Sequence, residues 1–223
     1  MNILYVIILL WLNVVNSLRV ISLKAGGLKG FYMLGVCKYL KETTNLENTY
    51  YYGASAGAWN ALYLSQKTND NKLINYLKSL DGYNFKNLFE IENEIKTFFL
   101  GNFNDDDFNL DKINICVSVL ENFKLKKRIF NNFGTLEGAL DCCMASSHIP
   151  YITSSAATYT YKGKSCIDGG IFGEPHEKLM IPELTISYDM WKNKEIEKYD
   201  LENLKISELI EIGYLDAYKN RKT

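Results

Sequence analysis

Apolar positions run unbroken from Ile3 to Leu12 and resume at Val14 and Val15, and only from about Leu18 does the chain break into short alternating segments. Ten helical residues at about 1.5 Å each reach about 15 Å, roughly half a hydrocarbon core, so the opening stretch is too short for an ordinary transmembrane span. Val15-Asn16-Ser17 offers acceptable residues at the −3 and −1 positions of a cleavage site. Residues 1–17 therefore read as a secretory signal peptide, with an uncleaved hydrophobic anchor or an extra element of the fold as the alternatives. A signal or an anchor places the protein in the secretory pathway or at a membrane. Two features weigh against secretion: the leader has no Lys or Arg, and an Asn-rich chain contains no Asn-x-Ser/Thr sequon.

From Leu18 to the C-terminus the periodicity changes repeatedly between strand and helix. A strand at Arg19 to Lys24, the turn Ala25-Gly26-Gly27 and a helix from Leu28 to about Lys41 are followed by a strand at Thr49 to Tyr52 and a helix from Ala56 to about Ser65. Helical patterns continue at Lys72 to Leu80 and Asn87 to Leu100. Asn102 to Asp111, with Asp105, Asp106 and Asp107 in a row, reads as a solvated polar loop and lacks the alternating carboxylates and sixth-position Gly of an EF-hand. Beyond it come strands at Ile113 to Val119 and Phe123 to Phe130, a helix from Gly134 to Ala145, a hairpin from Thr158 to Cys166 turning at Lys162-Gly163-Lys164, a strand at Leu184 to Tyr188 and a helix from Ser207 to Lys219. Strand, turn, helix, twice over, predicts an α/β domain with a mainly parallel central sheet and its site at the carboxyl ends of the strands. Residues 18–223 contain no linker that would divide them.

Composition narrows the class of function. The chain of 223 residues is 47% hydrophobic, enough for one sizeable core, and its net charge of −1 provides no basic surface for a phosphate backbone, so no nucleic-acid partner is expected. Cys37, Cys116, Cys142, Cys143 and Cys166 form no C-x-x-C pair and read as reduced, buried small hydrophobes rather than zinc ligands or a disulfide framework. Lys124, Lys126, Lys127 and Arg128 give one strand a basic edge, either a guard against strand-to-strand aggregation or a contact for anionic lipid headgroups.

Three local constellations carry chemistry. Gly53-Ala54-Ser55-Ala56-Gly57, between a strand and a helix, is a nucleophile elbow: small flanking residues permit the tight turn that presents the Ser55 hydroxyl. Asp168, ending a strand-like run and followed by Gly169-Gly170, is a candidate proton acceptor, or else caps an ordinary Asp-Gly turn. A triad of Ser55, Asp168 and His176 follows the hydrolase chain order, although the short Gly-rich loop between the last two opposes it, and His148 is more simply part of a pre-proline turn. Ala25-Gly26-Gly27-Leu28-Lys29-Gly30 presents unpaired amides at a helix N-terminus, and beside a nucleophilic Ser the amides of Gly26 and Gly27 would serve as an oxyanion hole.

In order, Gly26-Gly27-Leu28-Lys29-Gly30, Gly53-Ala54-Ser55-Ala56-Gly57, Ala145-Ser146-Ser147-His148-Ile149-Pro150 and Asp168-Gly169-Gly170 resemble the four blocks of the patatin-like phospholipases, from about Arg19 to the Leu209 to Tyr214 helix. Ala25 stands where that family usually has the first Gly of its loop. The resemblance implies a three-layer α/β/α fold and a Ser55-Asp168 dyad, with the oxyanion held by Gly26, Gly27 and the Ala56 amide. Lys29, Gly30, Gly53, Gly57, Gly169 and Gly170 would support the motifs. It implies hydrolysis of acyl esters of membrane lipids at a membrane surface, without metal or other cofactor. An inactive membrane-associated binding protein on the same scaffold, or an esterase or acyltransferase on neutral lipids, are the other readings. Acyl-chain fit is expected to depend on the Lys72 to Asp111 region as pocket wall and lid.

Overall fold

A computed structural model describes residues 19–171 and 181–221; the hydrophobic segment 1–17 and His176 lie outside the described residues. The first half alternates as expected: β1 (Arg19–Leu23), α1 (Gly30–Thr43), β2 (Thr49–Ala54), α2 (Ala56–Ser65), α3 (Lys72–Ser79) and α4 (Leu88–Asn102). Then follow β3 (Ile113–Glu121), β4 (Lys124–Phe130), α5 (Leu136–Ser147), β5 (Tyr159–Tyr161), β6 (Lys164–Ile167), β7 (Leu184–Ile186) and α6 (Ile206–Lys219). Helix α1 starts two residues later than its periodicity suggests, because Gly27 turns at φ +52° and Gly27–Lys29 forms a single 3-10 turn. Side chains fix two other starts: Asn87 accepts from the Glu90 amide at 3.1 Å and Thr135 from the Gly138 amide at 3.1 Å.

Two sequence-based expectations need correction. Asn102 to Asp111 is more than a solvated loop: it forms 3-10 turns at Asp105–Asp107 and Leu110–Lys112, buries Phe103, Phe108 and Leu110, and Asp105 accepts from the Leu136 amide at 2.6 Å, anchoring the start of α5. The basic edge also divides. Lys124, Lys126 and Arg128 are exposed on one face of β4, whereas Lys127, on the opposite face by strand alternation, reaches inward to donate to the Gly169 carbonyl.

The sheet has seven strands, with β7, β1, β2 and β3 parallel and β4, β5 and β6 antiparallel to their neighbours; helices flank it, giving the expected α/β class with mostly parallel strands. The parallel strands are buried on both faces, as helix-covered strands are: on one face Leu23, Ile113, Ile115 and Val117 are completely buried, while the other buries Ser22, Asn114, Cys116 and Ser118. The decisive feature lies along β3. Strand β2 pairs with Ile113 to Cys116, β6 pairs with Ser118 and Val119, and β4 pairs with Ile115 through Glu121. Since each strand has two edges, β4 occupies one of them and β2 and β6 share the other. They arrive from opposite directions, and their carboxyl ends meet opposite Val117.

Candidate active site

The residues that follow those two strand ends are Ser55 and Asp168. Ser55 sits between β2 and α2 at φ +55°, ψ −127°, a left-handed conformation that a non-glycine residue adopts only under strain of about 1–3 kcal/mol. Steric closeness explains its glycine neighbours. A Cβ on Gly53 would lie 2.3 Å from the Gly57 carbonyl oxygen, and one on Gly57 would lie 2.0 Å from that of Leu23, so α2 can begin directly against β1 and β2 only without those side chains. The Ser55 amide donates to the Ser146 hydroxyl at 2.8 Å, and that hydroxyl donates to the Cys116 carbonyl at 2.7 Å. A serine from α5 thus ties the strained turn to β3.

Asp168 is held as firmly. Its amide donates to the His148 carbonyl at 2.8 Å, its own carbonyl accepts from the Ser118 hydroxyl at 2.8 Å, and its Oδ1 accepts from the Gly170 amide at 2.6 Å. The following Gly169 donates to the Ser146 carbonyl at 2.7 Å. A Cβ on Gly169 would strike the Cys116 carbonyl oxygen at 1.9 Å, and one on Gly170 would strike the Ala25 methyl at 2.3 Å. The first residue of the glycine loop can therefore be alanine because its neighbour across the turn is Gly170. Burial pushes the Asp168 carboxyl above the usual carboxylate range, and the hydrogen-bonded Ser55 hydroxyl, the Gly170 and Ile171 amides and the Lys127 ammonium pull it back. The arrangement is a buried carboxylate, fixed by its backbone and the Gly170 amide, beside a serine hydroxyl whose proton it could accept.

Ser55 is 4% exposed and lines a cavity rather than the open surface. That cavity holds about 710 Å³ of empty space, its open mouth included. Leu34 and Tyr63 line it from α1 and α2, Leu73 and Leu77 from α3, and Ile95 and Phe99 from α4. The wall is thus mainly apolar and includes the Ser55 hydroxyl, a setting that suits a long hydrocarbon chain. The predicted lid region supplies one side of it through α3 and α4.

Of the three expected oxyanion donors, Gly27 and Ala56 line this cavity beside Ser55, while Gly26 borders a neighbouring depression with Lys29 and Tyr188. The Lys29 ammonium lies 5.0 Å over the Tyr188 ring, a cation–π contact outside the cavity. Gly30 packs its bare Cα where a Cβ would meet the Ala56 Cβ at 2.6 Å. His148 Nε2 pairs with the Ala156 carbonyl at 3.1 Å, burial lowers its pKa, and its own carbonyl supports Asp168. The five cysteines are buried, as expected, and none is in a disulfide. Among the described residues no three His, Cys, Asp or Glu side chains gather into a metal-binding cluster.

Sequence reasoning missed three residues of the site. Ser146 lay in the Ala145 to Pro150 block without an assigned task. Lys127 was counted among the edge cations. Glu92 lines the apolar cavity, and burial raises its carboxyl to about 8, against a hydrogen bond from Ser147 and with a further push from the Asp168 charge. A signal for Glu92 was present: Leu88, Ile91, Glu92, Ile95 and Phe99 share one helical face, on which it alone is charged.

Comparison with protein families finds that the model for the patatin-like phospholipases matches residues 21–175, more than half of the chain and every motif from Gly26 to Gly170. The comparison with curated proteins found no match.

Proposed function

Because the chain belongs to the patatin-like phospholipase family, a family of lipid acyl hydrolases, we propose that it cleaves fatty-acyl esters of membrane phospholipids through a Ser55-Asp168 dyad. The observation that carries this reading is the placement of Ser55 and the buried Asp168 just beyond the facing carboxyl ends of β2 and β6, where the Ser55 hydroxyl counteracts the burial of the Asp168 carboxyl, with Ser55 lining a mainly apolar cavity. Ser55 Oγ attacks the ester carbonyl carbon while its proton passes to Asp168. The amides of Gly26, Gly27 and Ala56 hold the oxyanion, each donor contributing about 3 kcal/mol. Collapse of the tetrahedral intermediate breaks the ester C–O bond, and the alcohol leaves with the proton from Asp168. A water then gives a proton to Asp168 and its oxygen attacks the acyl-enzyme; the fatty acid departs as the proton returns to Ser55. The acyl chain lies in the cavity between α1, α2, α3 and α4 throughout. The work takes place at a membrane surface, where such substrates are.

The test is fatty-acid release from phosphatidylcholine vesicles, with neutral esters in parallel, in excess EDTA. Ser55→Ala and Asp168→Asn are expected to lower turnover at least about a thousandfold while His176→Ala retains it. A dead His176→Ala that still folds would replace the dyad by a triad. Turnover confined to neutral esters would make the protein a neutral-lipid esterase, and no turnover of any ester by the folded protein would leave a binding role.

A further inference from the structure

The register of β3 has a consequence at the surface. Its last residue level with β2 is Cys116, opposite Ala54, yet the strand continues to Glu121. At about 3.3 Å per residue those five residues carry it roughly 17 Å past the level of Ala54, on the side to which the parallel strands deliver the site. Strand β4 returns from there, and β6 runs alongside, with Cys166 opposite Val119. Two hairpin tips, Asn122-Phe123 and Lys162-Gly163, consequently project together from the rim of the site.

Their chemistry is unusual for a solvated tip. Phe123 is 99% exposed. It also sits at φ +59° beside Asn122 at φ +50°, in a two-residue turn whose second position ordinarily goes to glycine. A bulky aromatic ring there costs local stability and gains no packing, so its benefit lies outside the folded chain. Around it stand the exposed cations Lys124, Lys126, Arg128, Lys162 and Lys164. Among these hairpin residues, Glu121 is the single acid, and it draws Arg128, Lys126 and Lys164 together at 2.7, 3.4 and 3.5 Å. In the turn beyond Ile149, which lines the cavity, Tyr151 and Ile152 are 73% and 64% exposed.

We propose that the paired hairpins are the docking surface for an anionic lipid bilayer, with Phe123 entering the headgroup and acyl boundary and the surrounding Lys and Arg pairing with acidic headgroups. This rests on the reading of the protein as an enzyme of membrane lipids and adds which face meets the membrane and which headgroup charge it selects. Aromatic rings are favoured at the membrane–water interface, and each cation near an anionic leaflet strengthens attachment about fivefold. The net charge of −1 for the whole chain leaves this tip as a local positive feature on a nearly neutral protein.

Vesicle co-sedimentation of full-length Ser55→Ala protein, with bilayers that stay intact, tests the surface. Vesicles of phosphatidylcholine with about one-third phosphatidylserine are expected to bind at least tenfold more strongly than phosphatidylcholine alone, and the difference is expected to fade in high salt. Phe123→Ser and, separately, Lys124→Glu with Lys162→Glu are each expected to cut binding tenfold or more, with unchanged circular dichroism. Equal binding by the variants, or no preference for the anionic vesicles, overturns the proposal. In the active protein, the same hairpin changes are expected to lower release from anionic vesicles and to leave turnover of a water-soluble butyrate ester unchanged. Absence of butyrate turnover in every form would count against the proposed chemistry alone, because the co-sedimentation arm is read without it.

Discussion

Glu92 is a carboxylate whose environment is at odds with its chemistry. As a whole it is only partly covered, yet its Oε2 is sealed from water and makes no hydrogen bond, and burial lifts the carboxyl to about 8. A free glutamate ionises near 4.3. Between those values the folded protein keeps a proton that the unfolded chain has lost, so this group's contribution to stability is full below about pH 4.3 and falls as the pH rises to about 8. Glu92→Gln keeps the shape without the titration. Urea denaturation at pH 5 and pH 9 is expected to show the variant gaining on the wild type by roughly 4 kcal/mol at the higher pH; an equal difference at both values would mean that Glu92 does not titrate in this way. The same residue shows how partial sequence legibility arises. Its position on an apolar helical face is visible in the pattern of α4, but the cavity that the face borders depends on three other helices. Ser55 and Asp168 were legible individually, since the elbow and the Asp-Gly-Gly turn are local backbone devices. Ser146 was not, because its task is to bridge β3 and a turn 91 residues away, and nothing near it in the chain records that distance.

Among the elements, the antiparallel-strand hairpins and the capped helices follow from local signals, and their ends shifted where a tight turn or a cap intervened. The pairing of α1 with α6 required tertiary contact. A Cβ on Gly35 would lie 2.0 Å from the Ile210 carbonyl oxygen, and one on Gly213 would lie 1.9 Å from that of Tyr32, so each helix presses its backbone against the other's glycine. In an isolated helix Gly→Ala stabilises by about 1 kcal/mol. Here the sign is expected to reverse: Gly35→Ala or Gly213→Ala forces the helices apart and destabilises by about 3 kcal/mol. Chemical denaturation of either variant decides this, and a raised midpoint would show that the helices separate freely. Tyr32 donates to Asp216 at 3.0 Å and Asn193 to the same oxygen at 2.7 Å, which ties α6 to both α1 and the preceding loop.

At the scale of the molecule, the cavity is bounded by α1, α2, α3 and α4 beside Ser55, and its mainly apolar wall suits an acyl chain. Leu77→Trp fills it from the α3 side, and is expected to reduce turnover of long-chain esters at least tenfold relative to butyrate esters; parallel loss on both would place Leu77 in general packing. No described helix is long and apolar enough to cross a membrane. By itself the sequence determined the alternation of strand and helix, the elbow at Ser55, the glycine loop after β1 and the order of the motifs, because each is a matter of local periodicity or of backbone conformation over a few residues. Only the tertiary structure decided that β2 and β6 share one edge of β3 and meet end to end, that Lys127 turns inward while its neighbours stay exposed, and that Glu92 faces the cavity. The first two depend on pairing between strands about fifty to sixty residues apart and the last on how four helices pack, and neither is recorded in the local sequence.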